Sequence, residues 1–268
     1  EKIYCASKGD EKIKSTSGGG LFSYNKQDNS MDRLTKITGL SDITISTINF
    51  NKYNNTLVVA YANGNVDLIV NNTIINISDI KREQDLGNKT INSIYFINQF
   101  AYLSCGFGIV VLDTDKKEIK DTYKIGINGT SINVYDITSG GDSLYAATES
   151  GIYKAWLNEP NLIFSGSWNK MPGLPNGAYN TIAYFNGSLY TNFSKAITSG
   201  AYLQDTVFTY NSSTAVWSKF LDAGVILQNN IKEIRVVDNK LVISMEWYVS
   251  VFDTNLNRIK ILYTYGYS

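Results

Sequence analysis

The chain contains no histidine. That absence excludes Ser-His-Asp and Cys-His nucleophilic machinery, His-ligated zinc or haem, and imidazole acid–base chemistry. Cysteine is confined to Cys5 and Cys105, so no Cys or His cluster exists to hold a transition metal. Each cysteine sits in an apolar, strand-like stretch, and buried free thiols are expected rather than a disulfide. Neither sign of charge prevails, with 24 Lys plus Arg against 24 Asp plus Glu in 268 residues. No bulk field would draw the chain to nucleic acid or a lipid surface, so electrostatic recognition must be local. Long apolar runs are missing too: Ile109–Leu112 and Gly224–Leu227 fall far short of the ~20 residues a membrane helix needs. No membrane-spanning segment is expected. The chain opens at Glu1 without methionine and without a signal-type sequence, and reads as a mature or excised N-terminal segment of a longer protein.

Proline numbers only 3, whereas tyrosine reaches 19 among abundant Ile, Val and Thr, a mixture that favours pleated, half-buried strands. No stretch keeps helical spacing. What the sequence has is a repeat. The apolar stretches IYCAS (from Ile3), LVVAY (Leu57), AYLSC (Ala101), LYAAT (Leu144), LYTNF (Leu189) and LVISM (Leu241) recur at steps of 54, 44, 43, 45 and 52 residues. Three of these steps match the roughly 40–50 residues of a four-stranded propeller blade. Upstream of each copy after the first lies an alternating strand carrying Ile48, Ile94, Ile137, Ile182 or Ile234, the period-two signal of a half-buried strand. Asn186-Gly187 and Gly140-Gly141-Asp142 supply tight turns into the second strand. Downstream, VVLDTDKKEIK and SVFDTNLNRIK share an Asp-Thr turn between third and fourth strands.

The stretch Phe100–Ile125 with Ile91–Ile97 is the repeat with the shortest loops. Against it, the two long steps have one cause: the connection between second and third strands stretches from Ser7 to Leu21 in the first copy and from Phe193 to Val207 in the fifth. The first copy is expected to lack an opening strand, because Glu1 stands immediately before IYCAS. Polar connectors, with recurring GLS and GLP tripeptides, separate the copies and none is long enough to be a domain linker. The expected fold is all-β: one domain over residues 1–268, a β-propeller of about six four-stranded antiparallel blades. It is either a closed six-bladed ring or six blades of a larger, seven-bladed one.

Motifs that suggest chemistry have plainer explanations here. The Asn-X-Ser/Thr triplets at Asn76, Asn88, Asn128, Asn192 and Asn211 follow from an Asn-rich composition whose asparagines suit turns. Gly18–Gly20 and Gly106-Phe107-Gly108 precede strands, so no helix N-terminus is present to cradle phosphate. Asp113 and Asp253 start equivalent turns, where aspartate bonds the local backbone, and neither sialidase-type repeats nor EF-hand loops occur. No enzyme activity, cofactor or metal is expected. Function is expected on the face where second-to-third-strand turns emerge with the connectors. Cations there are Lys8, Lys12 and Lys14 in the first insertion, Lys195 in the second, and Lys81 and Arg82 in a connector; aromatic platforms are Phe107, Tyr202, Trp247 and Tyr248. Rings beside cations suit an anionic glycan or a partner protein.

The connectors, LYAATESGIYKA (Leu144–Ala155) and GGLFSYN (Gly19–Asn25) resemble the two-component-regulator propeller repeats of Bacteroidetes. Within that group IYCAS, GLSDI, NGNVDLI, IINISDIKR and AYLSCGFGIVVLD resemble the N-terminal propeller family of PorZ, the sortase-associated component of the type IX secretion system. The likeness is specific from Ile3 to about Ala155 and only repeat-level beyond. It implies a non-enzymatic cell-surface or periplasmic part of a larger exported chain, working with a sortase or another secretion component and with anionic lipopolysaccharide. The alternative implied by the broader repeat is the ligand-sensing propeller of a hybrid two-component sensor that recognises oligosaccharide. Tyr145, Val58 and Tyr190 stand where the regulator repeat usually has tryptophan.

Overall fold

The computed structural model describes residues 5–8, 12–17, 20–25, 29–194, 205–220, 231–245 and 248–263, with β1, β2 and Asn25 in backbone only. They form six four-stranded antiparallel sheets, each a meander of consecutive strands. The chain divides into two compact units, one of residues 1–134 and 163–165, the other of residues 135–162 and 166–268.

The first unit holds three sheets. The first is β1 (Cys5–Lys8), β2 (Lys12–Ser17), β3 (Gly20–Asn25) and β4 (Met31–Leu34). The second is β5 (Ile45–Asn51), β6 (Thr56–Tyr61), β7 (Val66–Val70) and β8 (Thr73–Ile77), followed by the short helix α1 (Asp79–Arg82). The third is β9 (Ile91–Ile97), β10 (Phe100–Cys105), β11 (Gly108–Asp113) and β12 (Glu118–Tyr123). The second unit holds β13 (Val134–Gly140), whose first residue still counts with the first unit, β14 (Ser143–Thr148), β15 (Gly151–Trp156) and β16 (Asn169–Lys170). Next come β17 (Tyr179–Phe185), β18 (Ser188–Phe193), β19 (Thr206–Asn211) and β20 (Val216–Lys219). The last sheet is β21 (Glu233–Val237), β22 (Lys240–Ser244), β23 (Tyr248–Phe252) and β24 (Arg258–Tyr263).

Five of the six aligned stretches fall on the second strand of a sheet, as their spacing predicts. The first does not. IYCAS runs into β1, an opening strand, and the supposed insertion from Ser7 to Leu21 contains β2, paired with β1 from Cys5↔Thr16 to Lys8↔Ile13. The first sheet therefore has its own four strands. Counted from Lys12, the second strands start at 12, 56, 100, 143, 188 and 240, and the irregular first step disappears. The sequence misleads here because KIKSTS has one Ile among Lys, Ser and Thr, and a strand so polar carries little of the periodic signal. The fifth-copy connection does join second to third strand, and most of it lies outside the described residues.

Apolar clusters fill the seams between successive sheets within each unit. One gathers Val58, Ala60, Val66 and Leu68 of the second sheet with Ile94, Ala101, Leu103, Val110 and Leu112 of the third. Another joins Ala183, Phe185 and Tyr190 to Ile234, Leu241, Ile243 and Phe252. The five first-strand isoleucines are all buried. Burial at about 25 cal/mol per Å² makes these seams the main adhesive. Asparagines add direction. Asn92 and Asn180, each two residues before that isoleucine, donate to the carbonyls of Val134 (2.7 Å) and Ile231 (2.7 Å), each three residues before the next one. Asn186 (φ 47) and Gly187 (φ 81) close the β17–β18 hairpin in left-handed conformations, as the Asn-Gly pair predicts. Cys105 is a buried free thiol, and burial pushes its pKa up; the Cys5 side chain is outside the described residues. Asp113 and Asp253 accept backbone N–H groups from Asp115 and Lys116, and from Asn255 and Asn257, so both are turn residues. Among the described residues no helix is long and apolar enough to cross a membrane.

One carboxylate ties three opening strands of the second unit together. Asp136 of β13 accepts from the Thr181 hydroxyl (3.0 Å) and the Ile182 N–H (3.0 Å) of β17, and Thr181 in turn accepts the Ile234 N–H of β21 (2.9 Å). Burial pushes its pKa from 3.8 up to about 6, against the hydrogen bond from Ile182 and the attraction of Arg235, with Glu233 adding to the rise. A raised carboxyl favours the folded state when protonated, so its contribution is complete below pH 3.8 and lost as pH climbs through about 6. Urea titrations at pH 5 and 7.5 should therefore show wild type losing about 1 kcal/mol more than Asp136→Asn, which keeps an acceptor oxygen but cannot ionise. Parallel pH profiles would refute this.

Candidate functional site

The candidate face in the first unit is built by three segments: the connector Thr38–Ile43, the β6–β7 turn and the connector that starts at α1. Asp42 organises them. Its Oδ2 accepts from Lys81 Nζ at 2.8 Å and Asn63 Nδ2 at 2.6 Å, and its Oδ1 accepts the Ile43 N–H at 3.0 Å. The Lys81 ammonium, then the Asn63 amide, hold its pKa at about 2, below the ordinary 3.8. Lys89 Nζ donates to the Lys81 carbonyl at 2.9 Å, and Ile80 packs against Gly64, whose φ is +83°. The connector helix is thus seated on the turn directly through Ile80 and, by way of Asp42, through Lys81.

Beneath lies Asp67 of β7, wholly buried. Its Oδ2 accepts from the Tyr61 hydroxyl (2.6 Å) and the Ser41 N–H (2.8 Å), its Oδ1 from Asn76 Nδ2 (2.9 Å). Burial and the neighbouring carboxylate push the Tyr61 phenol far up. Asp205 plays a related part in the second unit, accepting the Ile231 N–H at 2.8 Å and Asn192 Nδ2 at 3.1 Å. In both places a carboxylate fixes a connector to a sheet. The spacing of apolar residues does not reveal Asp42, Asn63 or Asp67. One signal was available: a charged residue inside the strand VDLIV needs buried partners.

The residues expected at the site are distributed unevenly. Lys81 reaches this face, paired with Asp42. Arg82 lies beside it, its side chain 72% exposed and 3.4 Å from Asp79, with Asp79, Glu83 and Asp85 lining the same shallow depression. This connector is of mixed charge, not simply basic. Phe107 is a correction. It is 0% exposed, packed with Ile80, Val66 and Leu103, because the two-residue turn between Cys105 and Gly108 folds its ring back over the seam. Tyr248 also departs from the expectation: it opens β23 rather than capping a turn, is half-buried against the last seam, and its ring centroid lies 6.3 Å from Tyr263. Lys8 ends β1, and Lys12 and Lys14 begin β2, so they stand toward the first-to-second-strand turn, at the end of the sheet opposite the β2–β3 turn where the expectation put them; their side chains are outside the described residues. Lys195, Tyr202 and Trp247 lie outside them altogether. Among the described residues no group of three His, Cys, Asp or Glu side chains is placed to hold a metal ion.

The family described as TSS9, PorZ, N-terminal β-propeller domain matches residues 13–169, well over half of the chain and the span from β2 to β16. The chain belongs to the PorZ N-terminal β-propeller family. No match was found among curated proteins. Among solved structures, PorZ of Porphyromonas gingivalis, described as an essential bacterial surface component of its type IX secretion system, superposes with a TM-score of 0.79 at 22% identity over 96% of this chain. The extracellular domain of a one-component system of B. thetaiotaomicron follows at TM-score 0.68 and 14% identity over 93%. The Dos1 propeller follows at 0.63 and 12% over 99%. At these identities the likeness is one of fold, and it makes the PorZ-type chain described here an all-β propeller of four-stranded antiparallel blades. The chain spans 32% of the length of the first two.

Proposed function

We propose that this chain is a non-catalytic propeller module of an exported, PorZ-like protein, held at the cell surface and serving type IX secretion. It presents the connector face to a partner, a sortase or another secretion component; anionic lipopolysaccharide is a ligand of Lys8, Lys12 and Lys14, which lie toward the opposite end of the first sheet. The family match over residues 13–169 carries this reading. Support from the site is that Asp42 and Lys81 hold connector and turn in one arrangement, so Arg82 and its neighbours are displayed on a positioned surface. That the six sheets are successive blades of one ring, closed at six or joined by a seventh, belongs to the same proposal.

Replacing Lys8, Lys12 and Lys14 together by serine is the test. Binding of purified anionic lipopolysaccharide should weaken several-fold at low ionic strength and converge with wild type at high salt, as screened charge requires. Equal binding at low salt would remove these lysines from the contact. A second reading, the sensing propeller of a one- or two-component system, is favoured by the B. thetaiotaomicron likeness at TM-score 0.68. A kinase or DNA-binding module encoded further along the same gene would decide for it, further propeller and a C-terminal β domain against it.

A further inference from the structure

The seam between β13–β16 and β17–β20 carries a group of side chains that the connector-face proposal does not use. On β14 and β15, Tyr145 pairs with Lys154 and Ser143 with Trp156, so these four residues share one face of the sheet. Lys154 Nζ stands 5.1 Å from the Trp156 ring and 5.8 Å from that of Tyr145. It is half-buried, and among the described residues no carboxylate pairs with it. A cation held by two aromatic rings keeps its charge available for an anion from outside. Trp156 is 58% exposed. With the ammonium on one side of the indole, that exposure leaves apolar ring surface open.

The neighbouring sheet supplies the opposite wall. Tyr184 and Tyr210 are partly buried against the cluster that contains Tyr145, and both phenols act electrostatically on the Tyr145 phenol. An added Cβ at Gly140 would meet the Tyr184 ring at 2.2 Å, so that ring lies directly on the backbone leading into β14, beside the end of the sheet where Trp156 stands. Asn169, the β16 partner of Lys154, adds an exposed amide. The group thus combines an open indole, three phenol hydroxyls, an amide and an unpaired cation.

We propose that this seam binds an acidic pyranose, with the apolar C–H face of the sugar on Trp156, its carboxylate on Lys154 and its hydroxyls on Tyr184 and Tyr210. Indole surface alone would suit any apolar group. The hydroxyls and amide favour a polyhydroxylated ring, and the unpaired ammonium favours an acidic one over a neutral one. The site is independent of the connector face and stands or falls separately from it.

Calorimetric titration of the whole chain with trigalacturonate, and with maltotriose as the neutral probe, tests this. Trigalacturonate should bind at least several-fold tighter than maltotriose. Trp156→Ala should weaken trigalacturonate by about tenfold, and Lys154→Met should remove the difference between the two sugars. Both positions reach solvent, and unchanged circular dichroism will show that the fold is kept. The proposal is overturned if neither sugar binds or if Trp156→Ala binds like wild type. It is overturned equally if hexaglutamate displaces trigalacturonate at matched charge, which would assign the cation to acidic polypeptide.

Discussion

Replacing Asp67 by alanine should destabilise the first unit by about 3–5 kcal/mol, because three buried donors lose their acceptor together. The Tyr61 hydroxyl, the Ser41 N–H and the Asn76 amide all converge on this carboxylate at 2.6–2.9 Å. The side chain is 0% exposed, so water has no access to replace what alanine removes. Asp67→Asn separates the loss of shape from the loss of hydrogen bonding. An amide oxygen in the Oδ2 position can still receive Tyr61 and Ser41, but its NH2 would face the Asn76 amide. Asn76 would have to turn over and give up its bonds to Asn65 (2.9 Å) and the Val66 carbonyl (3.1 Å). About 1–2 kcal/mol is expected for that variant. Denaturant unfolding checks both, and Asp67→Ala lying within about 1 kcal/mol of wild type would mean that the network contributes little.

The same network explains why the site was only partly legible in the sequence. Periodicity reports which residues are buried. It located the second strands at Leu57, Ala101, Leu144, Leu189 and Leu241 and the buried isoleucines of the opening strands, because each copy sets an apolar residue at the same place in the repeat. It placed the first copy one strand out, because KIKSTS has almost no such residues. Lys81 was legible as a connector cation, yet Asp42, its partner, lies 39 residues away, and no local rule links them. Asn92 and Asn180 occupy equivalent positions and do equivalent work, but asparagine is so common in this chain that a repeated one carries little signal.

Aromatic residues failed for a different reason. A turn containing Gly106-Phe107-Gly108 suggests an exposed ring at a loop tip, since both glycines suit tight reversal. An added Cβ at Gly108 would lie 2.2 Å from the Tyr123 carbonyl, and one at Gly106 2.5 Å from Asn88. The glycines are there because the end of β12 passes directly over Gly108 and the connector leading into β9 over Gly106. A turn so covered has no solvent on the side its phenylalanine faces. Trp156 shows the converse: it lies in a regular strand, where a core position is the default reading, yet most of it is exposed.

Phe107→Ala discriminates between the two roles that residue could have. As a binding platform its loss would weaken a partner and leave stability unchanged. As a buried ring among Ile80, Val66, Leu103 and Cys105, its loss removes contacts on both sides of the seam and leaves a cavity beneath α1, costing about 3–5 kcal/mol. Because Ile80 would lose its packing partner, the connector should loosen before the sheets do, and hydrogen exchange at Arg82 and Glu83, whose N–H groups bond Ser78 and Asp79, should accelerate at temperatures where β10 and β11 remain protected. A variant as stable as wild type, with slow exchange in α1, would return Phe107 to the surface and reopen it as a contact residue.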